Sequence, residues 1–285
     1  MLGHDVSNIA ALPPPLDQAV VERFWEAASF TPADAGQSQL AAAIAGASPF
    51  LRQLMLHNGA FAMQAFTESP GSILDQLLAD VIETASIADQ PAFMRALRQA
   101  KARAALLIAI ADVGRVWGID EVTQALTGFA DACLSATVNW LLRDAARTGK
   151  ALIAGDSDSS HGCGYVVIAM GKHGAFELNY SSDIDLIVLY DSEQNCLASG
   201  VEPSVFFVRM TKRLVGLLQD VTEDGYVFRV DLRLRPDPRA TQVAISVEAA
   251  ANYYESMGQN WERAAMIKAR VVPVIKPLVL NSSTG

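Results

Sequence analysis

Apolar residues recur every three to four positions through the first half of the chain and every second position in parts of the remainder, so two kinds of element are expected. Residues 73–86 place Ile73, Leu77, Leu78 and Val81 on one helical side. Residues 93–117 do the same with Phe93, Leu97, Ala104, Leu107, Ile108 and Ala111, and 119–147 with Val122, Leu126, Phe129, Cys133, Leu134, Val138 and Leu141. Stripes of this width belong to helices that bury one face. Ser48-Pro49 reads as an N-cap followed by proline at the first helical position. Residues 1 to about 25, broken by Pro13-Pro14-Pro15, read as an entry segment, and the pattern predicts an antiparallel helical bundle over 1–150.

Residues 149–163 are rich in Gly, Ser and Asp and mark a loop or boundary, after which the period changes. Tyr165–Met170 is a short β-branched strand and Asp183–Asp191 a second. Val205–Gln219 returns to helix, with Phe207, Met210, Leu214, Leu217 and Leu218 on one side. Asp224-Gly225 makes a turn, and Tyr226–Arg235 alternates as a third strand. Helices follow at 247–257 and 259–270. The expected organisation is α+β: helices over 1–150, a second domain over 151–270, and an atypical tail over 271–285.

Composition narrows the function. The 285 residues are 51% hydrophobic and carry a formal charge of −9, which argues against a broad basic surface for nucleic acid. Cys133, Cys163 and Cys196 are odd in number and far apart, so neither a disulfide framework nor a zinc site is expected. No basic n-region precedes an apolar run, and the most apolar stretch, Ala104–Val113, is interrupted by Asp112 and too short to span a bilayer. A reducing, cytoplasmic protein without membrane partners is expected.

The chemistry concentrates where a polar loop, Gly171 to Ser182, runs into the strand that opens Asp183-Ile184-Asp185. Side chains two apart on a strand share a face, so the two carboxylates converge. Like charges that close call for a cation, and a hard divalent ion such as Mg²⁺, with substrate phosphates completing its shell, suits oxygen donors. The pair predicts phosphoryl or nucleotidyl transfer. In Phe228 to Pro236, period 2 puts Val230, Leu232 and Leu234 on the core face and Arg229, Asp231, Arg233 and Arg235 on the other. Alone, that face is a salt-bridge ladder; with the upstream pair, Asp231 becomes a third metal-proximal carboxylate, and the arginines meet phosphate with fork geometry. Ser181 and Ser182 can bind phosphate or fix the loop, and Glu177 and Asn179 are as readily structural as direct. Lys172 beside Gly171 is a candidate nucleotide contact. His173 has no partner in the sequence pattern and receives no role. His4, His57 and His161 are scattered, and Arg263 and Lys268 keep modest functional weight beside Trp261.

Three blocks, Ala169-Met-Gly-Lys to Tyr190, Arg229-Val-Asp-Leu-Arg-Leu-Arg-Pro, and Tyr253-Tyr-Glu to Lys268-Ala-Arg270, resemble in order and separation the glutamine synthetase adenylyltransferase/adenylyl-removing enzyme family. Ser48-Pro49-Phe50-Leu51 resembles an early block, and Gly171-Lys172 stands where the DNA polymerase β-like nucleotidyltransferase superfamily usually has Gly-Ser. The resemblance implies a helical N-terminal region before a polymerase β-like domain with a small mixed sheet flanked by helices. It implies that Asp183, Asp185 and Asp231 are catalytic and hold Mg²⁺, with Gly171, Lys172, Ser182, Arg233 and Arg235 binding nucleotide and phosphate. Partners would be glutamine synthetase, inorganic phosphate, adenine nucleotide and the PII regulator of nitrogen assimilation. The family's enzymes carry two such units of opposed activity. A start at methionine, a single unit, and the phrase Pro236-Asp-Pro-Arg-Ala-Thr favour the adenylyl-removing one. AMP transfer from ATP, or a non-catalytic binding fragment, are the alternatives. The segment after Arg270 departs from the family pattern and implies truncation.

Overall fold

The computed structural model describes residue 12 and residues 17–153 and 162–273. His4, the Pro13–Pro15 break, His161 with most of the 149–163 loop, and residues 274–285 of the tail lie outside them. The described chain divides into two compact units. One takes the residues up to Leu77 with Gln99–Leu126, and the other takes Leu78–Arg98 with those from Thr127 onward.

The first unit is helical. Helices α1 (Gln18–Ala27), α2 (Ala35–Ala47) and α3 (Pro49–His57) start where Asp17, Asp34 and Ser48 accept hydrogen bonds from Val20, Gln37 and Leu51 amides, satisfying donors a helix start leaves open. Ser48-Pro49 is thus the expected cap. Helix α1 begins inside the stretch read as an entry segment; its ten residues bury only Val21 and Phe24, too short a stripe to stand out. Helix α4 (Gly59–Thr67) follows; α5 (Pro70–Glu83), α6 (Gln90–Val113) and α7 (Ile119–Arg147), on the periodicities described above, each contribute residues to both units. Phe24, Leu40, Ile44, Met55, Phe66, Leu106 and Ile110 belong to one buried cluster of this unit.

The second unit contains the sheet. Strands β1 (Tyr165–Ala169) and β2 (Ile184–Tyr190) pair antiparallel from Tyr165↔Tyr190 to Ala169↔Leu186. They are joined by the single turn of α8 (Gly171–Gly174) and the loop after it. Helix α9 (Pro203–Gln219) packs its apolar side on the sheet: Phe207 stacks on Tyr165 and Tyr190 at 5.6 and 5.3 Å, and Tyr165 Oη lies 2.8 Å from Thr211 Oγ1. Strand β3 (Val230–Asp231) pairs parallel with β2, β4 (Ile245–Ser246) also pairs parallel with β2, and β5 (Arg270–Val271) pairs antiparallel with β1. Helices α10 (Val247–Ser256) and α11 (Asn260–Ala265) lie between β4 and β5. The sheet is small, mixed and flanked by helices, and the change from helix to sheet near residue 150 falls within this unit.

Two expected elements are shorter than their patterns. The third strand does not run over Tyr226–Arg235. Val227 and Phe228 are consecutive and both buried, their amides sharing the Leu218 carbonyl at 2.9 and 3.1 Å, which breaks the alternation. Beyond Asp231 the chain turns, because the Asp231 carboxylate accepts the Arg233 amide at 2.8 Å, the local capture by which aspartate initiates turns. The helix expected over 259–270 ends at Ala265, tightens to a 3₁₀ turn at Met266–Lys268, and gives way to β5.

Arg98 sits among the apolar residues of α6 with 1% of its surface exposed. It donates to the carbonyls of Met94, Leu217, Asp220 and Gly225 at 3.0, 3.2, 2.5 and 2.8 Å, gathering the turn between α9 and the chain that leads to β3. Arg98→Met should destabilise the fold by about 2–3 kcal/mol, because four carbonyls, among them the buried one of Leu217, lose a charged donor. Urea unfolding checks this, and a loss below about 0.5 kcal/mol would refute it.

Candidate active site

The parallel pairing of β2 with β3 sets Asp185 opposite Asp231 and Ile184 opposite Val230. Asp183 precedes Asp185 by two residues on the same strand face, while Ile184, Leu186 and Val188 are buried on the other side. The three carboxylates singled out from the sequence therefore gather at one end of β2, 46 to 48 residues of chain apart being bridged by two ladder pairs.

Each carboxylate has a different environment. Asp183 is ion-paired with Arg229, whose Nη2 also donates to the Ser181 carbonyl at 2.9 Å. Asp231 takes Arg233 Nε at 2.8 and 3.0 Å on its two oxygens, and that hydrogen bond is the first cause holding its carboxyl below the usual range. Asp185 has no such cation. Burial pushes its carboxyl above the usual range, and the charges of Asp231 and Asp183 push it further, with Arg233 and His173 pulling back. The ladder of ion pairs and the acidic cluster are thus one structure: Arg229 and Arg233 neutralise the outer two carboxylates and leave the middle one costly to ionise.

The loop before β2 is built around two glycines. Met170 donates its amide to the Asp185 carbonyl at 2.8 Å, extending the ladder one step past β1. Gly171 then adopts φ +55°, and a Cβ there would stand 2.9 Å from Asp185 Oδ2. Left-handed backbone and close approach together require glycine. Lys172 is exposed at the next position. Ser182 bonds Asn179 through its hydroxyl and amide at 2.5 and 3.2 Å, so both side chains fix the turn into β2. Glu177 pairs with Lys268 at 2.6 Å. Arg235 turns into its own loop, donating to the carbonyls of Leu232, Pro238 and Thr241 at 2.8, 2.8 and 3.3 Å. Of the residues expected to meet phosphate, Gly171 lies against the carboxylates and Arg233 is bound to one of them, while Ser182 and Arg235 hold loops.

Three residues given no site role in the sequence reading meet under this loop. His173 is fully buried, with Nε2 2.8 Å from Asp131 Oδ1 on α7, and Arg270 of β5 bonds the same carboxylate at 2.8 Å. The available signal was Asp131 itself, a carboxylate among Phe129, Cys133 and Leu134 on an apolar helix. A cavity of about 330 Å³ lined by Leu141, Phe206, Met210 and Arg213 includes none of the acidic site residues. Among the described residues, no helix is long and apolar enough to cross a membrane.

As they stand, no three His, Cys, Asp or Glu side chains among the described residues are grouped to hold a metal. Asp183 and Asp231 face arginines instead. The donor chemistry nonetheless suits a hard divalent cation: three carboxylates at one strand end, one of them lacking a cationic partner of its own and raised in pKa by burial first and then by the other two.

A family model described as glutamate-ammonia ligase adenylyltransferase matches residues 37–279, continuing past Arg270 into the segment expected to be atypical. Several curated proteins named bifunctional glutamine synthetase adenylyltransferase/adenylyl-removing enzyme are similar. That of Xanthobacter autotrophicus is 51% identical over 229 residues, covering 80% of this chain and 23% of the relative. That of Bradyrhizobium sp. strain BTAi1 is 50% identical over 232 residues, with coverages of 80% and 23%. That of Caulobacter vibrioides is 45% identical over 269 residues, with coverages of 93% and 27%. The chain spans about a quarter of the length of the curated relatives it matches.

Proposed function

The chain belongs to the glutamate-ammonia ligase adenylyltransferase family, and on that footing we propose that it removes AMP from adenylylated glutamine synthetase by phosphorolysis. Inorganic phosphate attacks the phosphorus of the AMP–tyrosine diester, the P–O bond to tyrosine breaks, and ADP and the free phenol result. The observation that carries the reading is the β2–β3 register, which sets Asp231 beside Asp185 and leaves Asp183 on the same face.

Under this proposal Asp183, Asp185 and Asp231 hold Mg²⁺, with Asp183 and Asp231 exchanging their arginines for the cation. Bound there, Mg²⁺ supplies charge neutralisation for the phosphates and for the departing phenolate, whose parent phenol has a pKa near 10. Arg229 and Arg233, once released, carry fork-shaped donors suited to phosphate oxygens. Gly171 lets the backbone approach, and Lys172 adds a cation beside it. Phosphate is already an anion, so the site must position and neutralise it more than deprotonate it.

The test is incubation of the chain with adenylylated glutamine synthetase, Mg²⁺ and phosphate while ADP is followed. ADP that forms only with phosphate supports the proposal. The names of the relatives carry the opposite activity as well, and the same site chemistry runs either way. Incorporation of labelled AMP from ATP, without phosphate-dependent ADP, would replace removal by transfer. Arg233→Ala is expected to lower turnover by roughly 10²-fold, the scale of losing one charge-stabilising donor. Unchanged turnover would confine Arg233 to the ion pair with Asp231.

A further inference from the structure

Beneath the Gly171–Gly174 turn lies a buried polar cluster that the proposed chemistry does not consume. Asp131 is its centre. His173 Nε2 lies 2.8 Å from Asp131 Oδ1, and Arg270 places Nη1 at 2.8 Å from Oδ2 and Nη2 at 3.0 Å from Oδ1. The fork geometry fixes the guanidinium in two directions at once. The same Nη2 donates to the His173 carbonyl at 3.3 Å, and the guanidinium carbon lies 4.1 Å from the centre of the Phe176 ring. One arginine therefore grips the side-chain partner, the backbone and the aromatic follower of the turn that begins at Gly171. Phe176 itself has φ +60°, a conformation an aromatic residue keeps only under such restraint.

A second set of contacts holds the same turn. Arg270 pairs in register with Ala169, the last residue of β1. The Lys268 carbonyl lies against Gly174, and Lys268 Nζ reaches Glu177 Oε2 at 2.6 Å. The chain from Lys268 to Arg270 thus runs along the turn and is tied to it at both residues. The same turn reaches the acidic site through Gly171, where a Cβ would stand 2.9 Å from Asp185 Oδ2. A buried ion pair is weak grounds for stability, because desolvation offsets the attraction; what it provides is a fixed geometry.

We propose that Arg270, anchored on Asp131, is a positioning residue for the phosphate-binding turn: it holds Gly171 and Lys172 in register with Asp185 and so sets the affinity for phosphate. Its catalytic consequence rests on the nucleotidyl-transfer reading, while its effect on the turn does not. Arg270 touches no reacting atom. It acts through His173 and the backbone of 173–176.

The test uses Arg270→Met, Arg270→Lys and Asp131→Asn in the full chain. Three readouts are taken: amide exchange over Gly171–Glu177 and over Ile184–Tyr190, the affinity for Mg²⁺-ADP by calorimetry, and KM for phosphate against kcat. Arg270→Met should speed exchange in the turn by about tenfold and leave the strand unchanged, the signature of a local opening. KM for phosphate and the dissociation constant for Mg²⁺-ADP should each rise about tenfold or more, with the KM for adenylylated glutamine synthetase unmoved. Arg270→Lys keeps charge without the fork and should stay impaired. Asp131→Asn should give the same signature more mildly, so the inference stays testable where Arg270→Met does not fold. Equal loosening of turn and strand, or a loosened turn with unchanged phosphate and nucleotide affinities, would overturn it. Wild-type protein that binds Mg²⁺-ADP but releases none would sink the adenylyl-removing reading alone, and the exchange and affinity arms would still decide the role of Arg270.

Discussion

Asp185→Asn should reduce phosphate-dependent ADP release by about 10³-fold while the protein melts at the same temperature as wild type or higher. The loss follows from removing the middle donor of the proposed metal site, at least the effect of deleting one charge-stabilising group. The gain follows from electrostatics. Burial, then Asp231 and Asp183, raise the folded-state pKa of Asp185 above that of the unfolded chain. A carboxyl raised in this way favours folding below its unfolded pKa, and the contribution is lost as pH climbs through the raised folded value. At pH 7 its ionised form therefore weighs against the fold, and asparagine, of the same shape and neutral, lifts that burden. The advantage of the variant should shrink as pH falls toward the unfolded carboxyl value near 3.9, where wild type is neutral too. Mg²⁺ should reverse the order, raising the melting temperature of wild type and leaving that of Asp185→Asn unmoved, since only a ligand of the native state stabilises it. Thermal melts at pH 4 and 7, with and without Mg²⁺, together with ADP release, check both halves. Retained turnover, or a variant less stable than wild type at pH 7 without Mg²⁺, would refute the assignment.

What could be read from the sequence was whatever repeats locally. The stripe from Val122 to Leu141 specified α7, and the alternation around Asp183 and Asp185 specified β2 and its acidic face, because neighbours a few residues apart carry those signals. Long-range pairing was not legible. Strands β4 and β5 are two residues each and exist only because β2 and β1 offer edges to them. The third strand stops where one aspartate captures an amide two residues on, a competition that alternation does not register. His173, Asp131 and Arg270 are separated by 42 and 97 residues, so nothing local joins them. Arg98 and Asp131 did leave a trace: a charge within an apolar helical stripe must find partners on folding. Their partners, carbonyls and side chains far along the chain, could not be inferred from it.

Gly174→Ala should destabilise the sheet-bearing unit by about 4 kcal/mol, read by urea unfolding. The argument is steric. Gly174 has no left-handed backbone to protect, so conformational freedom is not its reason for being glycine. A Cβ there would stand 1.8 Å from the Lys268 carbonyl oxygen and 2.6 Å from that of Ala169. Both obstacles are main chain, and they lie on β5's approach and on β1, so no side-chain rotation relieves them. To admit one methyl group, the 3₁₀ turn at Met266–Lys268 must lift from α8. That would pull Arg270 from its register with Ala169 and from Asp131. Activity and stability should therefore fall together, unlike the separation expected at Asp185. Gly200→Ala is the control: φ is +86°, but nothing lies within 4 Å, so only the left-handed penalty of about 1–2 kcal/mol applies. If Gly174→Ala costs no more than Gly200→Ala, the chain around Lys268 yields easily, and the rigid contact on which Arg270 is argued to act would be lost as a premise.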